Sequence, residues 1–106
     1  MRQIDRSRDE VRDIASIRLN ARGAASAAAI VHPDGWRTDA CPVNGPAVAA
    51  NAEQLITVWP TLVKPPLAVQ LALGQPGGGW QTTLLEQGEA VQGRVDAAAW
   101  RDGFVV

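Results

Sequence analysis

The chain has 106 residues, a net charge of −1 at pH 7 and 46% hydrophobic residues, values that favour one globular domain over a disordered chain. This charge balance argues against a protein-wide electrostatic surface for nucleic acid or anionic lipid. A single cysteine excludes an intrachain disulfide, and no apolar run reaches the roughly 18 residues that a membrane span requires. Because the first residues are too charged for a signal peptide, we expect a soluble protein of the cytoplasm or of a virion.

The apolar residues are unusual in being dominated by eighteen alanines. Because small side chains fill little volume, we expect the four tryptophans to supply much of the core; each buried one contributes about 4–6 kcal/mol of gross transfer free energy. Nine arginines accompany one lysine. Together with the alanine excess, this bias is typical of a GC-rich bacterial genome or of one of its bacteriophages.

The N-terminal segment predicts a helix over residues 8–21. Residues 7–10, Ser-Arg-Asp-Glu, match the S-x-x-E capping box of a helix start. Val11, Ile14 and Ala15 then follow at helical spacing. Residues 20–23, which end in glycine, suit a helix C-terminus.

Six arginines and four acidic residues lie within the first 22 residues, a net charge of +2. Alternating signs predict a solvated helix face, and contact with a partner or head-to-tail self-association is the alternative. Binding of nucleic acid through this Arg-rich helix is the weaker alternative, because four acidic groups dilute the positive charge and no aromatic residues are interleaved with the arginines.

Residues 25–40 predict a hairpin that turns at residues 33–35, Pro-Asp-Gly. For residues 47–59 two interpretations stay open. Val48, Ala52, Leu55 and Trp59 lie at helical spacing, which favours a short helix ended by Pro60. The β-branched residues of the run LITVW are compatible with a strand instead.

The C-terminal half predicts an antiparallel meander. Apolar residues alternate with others from Leu67 to Leu73, which is typical of a half-buried strand. The segments WQTTLL and AVQGRV follow as two further strands. Asp96 is expected to cap one helical turn in AAAWR, and the closing FVV predicts a last short strand.

Residues 77–79 are three glycines that follow the first of these strands, an arrangement that also occurs in phosphate-binding loops. A Walker loop needs a Lys and a Ser or Thr after its last glycine, whereas Trp80 and Gln81 stand there. A dinucleotide-binding loop opens a helix, whereas WQTTLL is rich in β-forming residues. We therefore expect the glycines to turn the chain.

His32 and Cys41 are each single in the chain, and a Cys–His pair is the simplest candidate for an activated nucleophile. The predicted hairpin places Cys41 opposite about Ala28, several residue pairs from His32, which argues against a dyad. No spacing predicts a metal or cofactor site. The remaining candidate acids lie near predicted turns and are expected to be solvated: Asp34, Asp39, Glu86, Glu89, Asp96 and Asp102.

These patterns predict a small α+β domain over residues 1–106, with an N-terminal helix, a mostly antiparallel sheet and a C-terminal β-meander. We expect a non-catalytic structural or protein-interaction module, oligomeric, of bacterial or bacteriophage origin, for example a small virion or tail-assembly component. The alternative is a small enzyme or ligand-binding protein that uses turn carboxylates with Cys41 and His32. The candidate interface residues are Arg8, Arg12, Arg18, Trp36 and Trp80, and no catalytic residue is assigned.

Overall fold

The computed structural model describes residues 10–38, 44–75 and 78–106, and in these residues the fold consists of antiparallel β-strands without a helix. The predicted α+β class is therefore wrong. The strands form a two-stranded sheet β1-β2, a four-stranded sheet β3-β4-β5-β6 and a hairpin β7-β8. Their bounds are β1 Glu10–Ser16, β2 Ala29–Thr38, β3 Ala47–Ala50, β4 Leu55–Thr61, β5 Ala68–Gly74, β6 Trp80–Gln87, β7 Ala98–Trp100 and β8 Gly103–Val105.

Strand β1 occupies most of the segment for which a helix was predicted. It pairs antiparallel with β2 from Glu10 to Ser16, with two irregularities around Ile14. Val11 and Ala15, expected on the apolar face of the helix, are exposed, and Ile14 packs against the core. Pairing with β2 outweighs a weak local helix preference, which β-branched residues reduce further. Residues 7–9 of the expected capping box lie outside the described part of the chain.

The Pro-Asp-Gly sequence at residues 33–35 does not reverse the chain, so the predicted hairpin over residues 25–40 is wrong. These three residues lie within β2, opposite Asp13 alone in β1. Gly35 adopts a φ of 69°, and its N–H donates to Asp13 Oδ1 at 2.8 Å. Turn-forming residues here build a β-bulge in the middle of a strand.

The segment with two open interpretations forms strands β3 and β4, joined by a turn at residues 51–54. The helix interpretation is wrong, and the strand interpretation of LITVW is confirmed. Asn51 builds the turn, because its Oδ1 accepts hydrogen bonds from the N–H groups of Glu53 and Gln54 at 2.9 and 2.8 Å. Pro60 lies in β4 beyond the end of β3, where β4 has a single neighbouring strand and the missing N–H is tolerated.

The meander exists, but its strands differ from the predicted set. The first two predicted strands are confirmed as β5 and β6. Residues 90–95 form no strand, and β4 takes the place of the third member of the meander. The expected helical turn after Asp96 is replaced by β7, whereas the predicted last strand is confirmed as β8.

The glycine-rich connection between β5 and β6 is a turn. Gln75 N–H donates to the Gly79 carbonyl at 3.1 Å, and Gly78 N–H donates to the Gln75 carbonyl at 3.0 Å. Gly78 and Gly79 have φ angles of 94° and 80°, which glycine adopts readily. The prediction of a chain reversal is confirmed for these residues; residues 76–77 lie outside the described part.

The core is small and centres on one tryptophan. The β1-β2 sheet lies over one face of the four-stranded sheet, where Val31, Trp59 and Ala72 are buried and Ile14 and Trp80 pack against them. Side chains alternate along a strand, so the buried Val58, which precedes Trp59 in β4, faces the other way.

Most alanines and tryptophans lie outside this core. Only Trp59 is fully buried among the four tryptophans, while Trp36 and Trp80 are half-buried and Trp100 is exposed. Ala68 and Ala72 are the buried alanines of the described residues. The expectation that the tryptophans together fill the core is therefore met by Trp59 alone.

Candidate functional site

Large apolar side chains are more often exposed than buried in the described residues. Six hydrophobic residues are buried, whereas twelve large ones are at least 40% exposed. A large group of exposed apolar side chains usually marks a site where another molecule binds. The exposed ones are Val11, Ile17, Leu19, Ile30, Val48, Leu62, Val63, Leu84, Leu85, Trp100, Val105 and Val106.

Three of these side chains line an open groove of about 710 Å³ between the end of β1 and the β3-β4 hairpin. Ile17 and Leu19 follow β1, and Val48 lies on β3 and is 64% exposed. The lining also includes Val31 and Trp80, which belong to the core or pack against it. The groove therefore extends an apolar surface from the core to the outside of the molecule.

Two strand edges border this groove. Among the described strands, β1 is hydrogen-bonded to β2 alone and β3 to β4 alone, so each has one edge without a hydrogen-bonded strand, although β7 lies close to β3. The N–H and C=O groups of such an edge are a template for another strand. An apolar groove beside two edges is an arrangement in which a further β-strand can be added.

The strands β1 and β2 continue into a hairpin arm, residues 17–28, in which every residue is exposed. Leu19 and Ala25 form a β-bridge in the arm, and Ser26 N–H donates to the Arg18 carbonyl at 2.8 Å. At its tip, Asn20 Oδ1 accepts hydrogen bonds from the N–H groups of residues 22 and 24 at 2.9 and 3.0 Å. Internal hydrogen bonds thus hold the arm in shape although it is uncovered.

The candidate interface residues are divided between two places. Arg18 and Trp80 line the groove. Arg12 and Trp36 are cross-strand partners and line a smaller cavity of about 330 Å³. Arg8 lies outside the described residues. Arg12 and Arg18, which were expected on a helix, lie in β1 and in the arm.

Leu19 and Val48, which sequence reasoning missed, are the most exposed apolar side chains of the groove. Leu19 lies in the segment predicted as a helix, and Val48 lies in the segment for which a helix was one of two open interpretations; in a helix, an apolar side chain is expected to face the core. The exposure of Val48 follows from its place in β3, because alternate side chains of a strand point to opposite faces.

A hydrogen-bonded cluster, buried at Asp34 and Trp59, joins these two residues to His32. The Asp34 carboxylate accepts from Trp59 Nε1–H at 2.6 Å through Oδ2, and its Oδ1 lies 2.6 Å from His32 Nδ1. The Asp34 side chain is only 3% exposed, so the expectation of a solvated turn carboxylate is wrong for this residue. The bulge in β2 directs Asp34 inward, and the carboxylate links β2 to β4 and thus the two sheets.

His32 has the geometry of an oriented base, and its neighbours Asp34 and Trp59 line the smaller cavity. A carboxylate on Nδ1 favours the tautomer that leaves the lone pair on Nε2, and the side chain is 39% exposed. His32 lines neither the groove nor the smaller cavity. Cys41, its candidate partner, lies outside the described residues. The hydrogen bonds of Asp34 connect β2 to β4, so the cluster stabilises the packing of the two sheets.

The other candidate carboxylates of the described residues are solvated. Glu86, Glu89, Asp96 and Asp102 are exposed, as predicted, and Asp39 lies outside the described part. Within residues 10–38, 44–75 and 78–106, no three His, Cys, Asp or Glu residues are grouped so that they could hold a metal ion. The same residues include no helix with the length and hydropathy that a membrane crossing requires.

Comparison with known proteins assigns no family to the chain. No family model matches its sequence, and neither a curated protein nor a solved structure matches it. The groove, the arm and the buried cluster are therefore the grounds for proposing a function.

Proposed function

We propose that the protein is a non-catalytic structural or interaction module that self-associates through the groove. One observation supports this most directly: exposed apolar side chains line a groove that is bordered by two unpaired strand edges. A second copy of the chain would cover Leu19 and Val48 and satisfy edge groups of β1 or β3 in the same contact. Homodimer interfaces are more apolar than the remaining surface, in agreement with this lining.

The driving force is of the right size for reversible association. Fully burying a Val, Leu or Ile side chain gains about 1.5–3 kcal/mol. Ile17, Leu19 and Val48 are each more than half exposed, and a two-fold interface buries each of them twice. Because each is already partly buried, this apolar gain offsets much of the roughly 4–15 kcal/mol that association costs, and hydrogen bonds at the strand edges add to it. We therefore expect a concentration-dependent equilibrium.

A second copy suits the groove better than a polyanion does. The lining is mainly apolar, and its two charged side chains, Arg18 and Glu53, have opposite signs. The net charge of the chain is −1. Neither the groove nor the whole chain therefore supplies the positive potential that nucleic-acid binding requires.

Val48→Glu is expected to shift the assembly toward single chains, because it places a charge on the edge of β3 inside the apolar groove. Size-exclusion chromatography with light scattering, at several concentrations, measures the mass. Thr83→Glu is the matched control, since Thr83 is exposed on β6 and lines neither cavity. The proposal fails if Val48→Glu leaves the mass of an assembled wild type unchanged while circular dichroism shows that both variants are folded.

The Asp34–His32 pair favours a second candidate, a small-ligand or hydrolytic site at His32 Nε2. A carboxylate-oriented imidazole is the base of many hydrolytic sites, and His32 is the single histidine of the chain. Hydrolysis of 4-nitrophenyl acetate by the wild type and by His32→Gln tests this candidate. A rate above buffer that His32→Gln abolishes supports it, and equal rates in the two proteins remove it.

A further inference from the structure

We infer that the occupant of the groove is the arm of a second copy, and that two protomers exchange their arms reciprocally. This inference rests on the proposed self-association and specifies which segment makes the contact. The arm, residues 17–28, of one protomer lies in the groove of its partner, beside β3.

The arm has the properties of a segment that inserts into a groove of another molecule. An isolated two-stranded hairpin is marginally stable in water, so an element of this kind is normally covered. This arm is fully exposed along its length and keeps its shape through the Leu19–Ala25 bridge and the bonds of Asn20. At about 3.3 Å per residue, it extends roughly 15 Å beyond the last paired residues of β1 and β2, Ser16 and Ala29.

The composition of the arm suits close contact between backbones. Five of the eighteen alanines of the chain lie in it, and residues 24–28 read Ala-Ala-Ser-Ala-Ala. Small, uncharged side chains let one strand approach another backbone closely and pack densely against it. The alanines that are so frequent in this sequence thus lie partly in the arm and not only in the core.

The position of the arm permits reciprocal exchange. Ile17, Arg18 and Leu19 form the base of the arm and also line the groove of their own chain. In a two-fold arrangement, each arm then enters a groove whose wall is the base of the other arm, so that both contacts are identical. Leu19 of each protomer is covered in this arrangement.

Charges at the two ends of this contact are complementary. Arg22 is exposed at the tip of the arm, and Glu53 is exposed at the rim of the groove. Within the described part of the chain, neither side chain forms an ion pair. Exchange brings Arg22 of one protomer toward Glu53 of its partner, where opposite charges favour the correct register.

Cysteine cross-linking tests the exchange. Arg22→Cys and Glu53→Cys are made in separate chains, each with Cys41→Ser so that only the introduced thiols react, then mixed and oxidised. One of the two chains is isotope-labelled, so that mass spectrometry identifies the mixed disulfide dimer. We expect the 22–53 pair to form this dimer in clear excess over a control pair of Arg22→Cys with Gln92→Cys, because Gln92 is exposed outside both cavities.

Charge reversal provides a second, independent readout. Arg22→Glu is expected to raise the dissociation constant, and Arg22→Glu with Glu53→Arg is expected to restore it. A stable assembly in which the 22–53 pair cross-links no better than the control, with no rescue by the double variant, overturns arm exchange and leaves self-association standing. A single-chain mass at every concentration overturns both proposals.

Discussion

Trp59→Ala is expected to lower the free energy of unfolding by about 3–5 kcal/mol, the range for removing a large buried aromatic side chain. Trp59 is 1% exposed, and it is the largest fully buried side chain of the described residues. It packs with Val31 and Ala72 in a core that includes few other large groups. The substitution leaves a cavity there and removes the indole donor from Asp34 Oδ2. Because domains are stable by about 5–15 kcal/mol, this loss removes a large part of the margin and, at the lower end of that range, nearly all of it.

Urea denaturation followed by circular dichroism measures this loss without relying on tryptophan fluorescence. Trp100→Ala is the matched control, since Trp100 is 57% exposed and its removal is expected to cost less than about 0.5 kcal/mol beyond its contact with Arg101. Trp59→Phe, which keeps most of the apolar volume but lacks the N–H donor, is expected to be intermediate. Equal losses for Trp59→Ala and Trp100→Ala would contradict a core centred on Trp59.

Asp34→Ala is expected to lower the free energy of unfolding by about 2–3 kcal/mol, because it leaves the buried indole N–H of Trp59 without an acceptor and frees His32. Removal of a buried carboxylate also relieves its desolvation cost, which keeps the loss below that of Trp59→Ala. Asp34→Asn retains one acceptor oxygen and is expected to lose less than Asp34→Ala. The same urea experiment measures all three proteins.

Asp102→Ala is the control for this series, since Asp102 is exposed in the β7-β8 turn and a surface substitution changes stability by less than about 0.5 kcal/mol. Combining Asp34→Ala with Trp59→Phe isolates the hydrogen bond between the two sheets. If the two residues share one hydrogen bond, the double variant should lose less free energy of unfolding than the sum of the two single losses. Wild-type stability in Asp34→Ala, or strict additivity in the double variant, would show that the cluster does not hold the sheets together.

Turn chemistry was more predictable than the pairing of strands. The sequence indicated special backbone conformations around Gly23, Gly35 and Gly78, and all three adopt positive φ angles. Gly23, expected to end a helix, instead forms the tip of the arm, because the left-handed conformation serves both purposes. Whether such a glycine ends a helix, turns a hairpin or builds a bulge depends on which segments pair. That is a non-local property, and local spacing does not report it.

The N-terminal segment shows the same limit. Val11, Ile14 and Ala15 satisfy helical spacing, yet the strand is selected by β2, whose pairing residues lie about twenty positions further along the chain. A weak helix preference does not compete with a ladder of backbone hydrogen bonds and the burial of Ile14. The β5 strand was predictable because its alternation of apolar and other residues records burial on the sheet directly.

The candidate site was predictable in part. Arg18 and Trp80 were named from their charge and their place after a turn glycine, and both line the groove; their role at an interface stays a prediction. Val48 was missed because the helix interpretation of residues 47–59, one of the two left open, placed it toward the core. Asp34 was missed as a buried group because Pro-Asp-Gly normally marks a solvated turn, and only the pairing of β1 with β2 turns it into a bulge.

Sedimentation equilibrium of the wild-type protein tests self-association most directly. From low to high micromolar concentrations, we expect the apparent mass to rise from the 11.2 kDa of one chain toward twice that value. A mass of one chain at every concentration would contradict the proposal that the groove and its strand edges are an interface between copies.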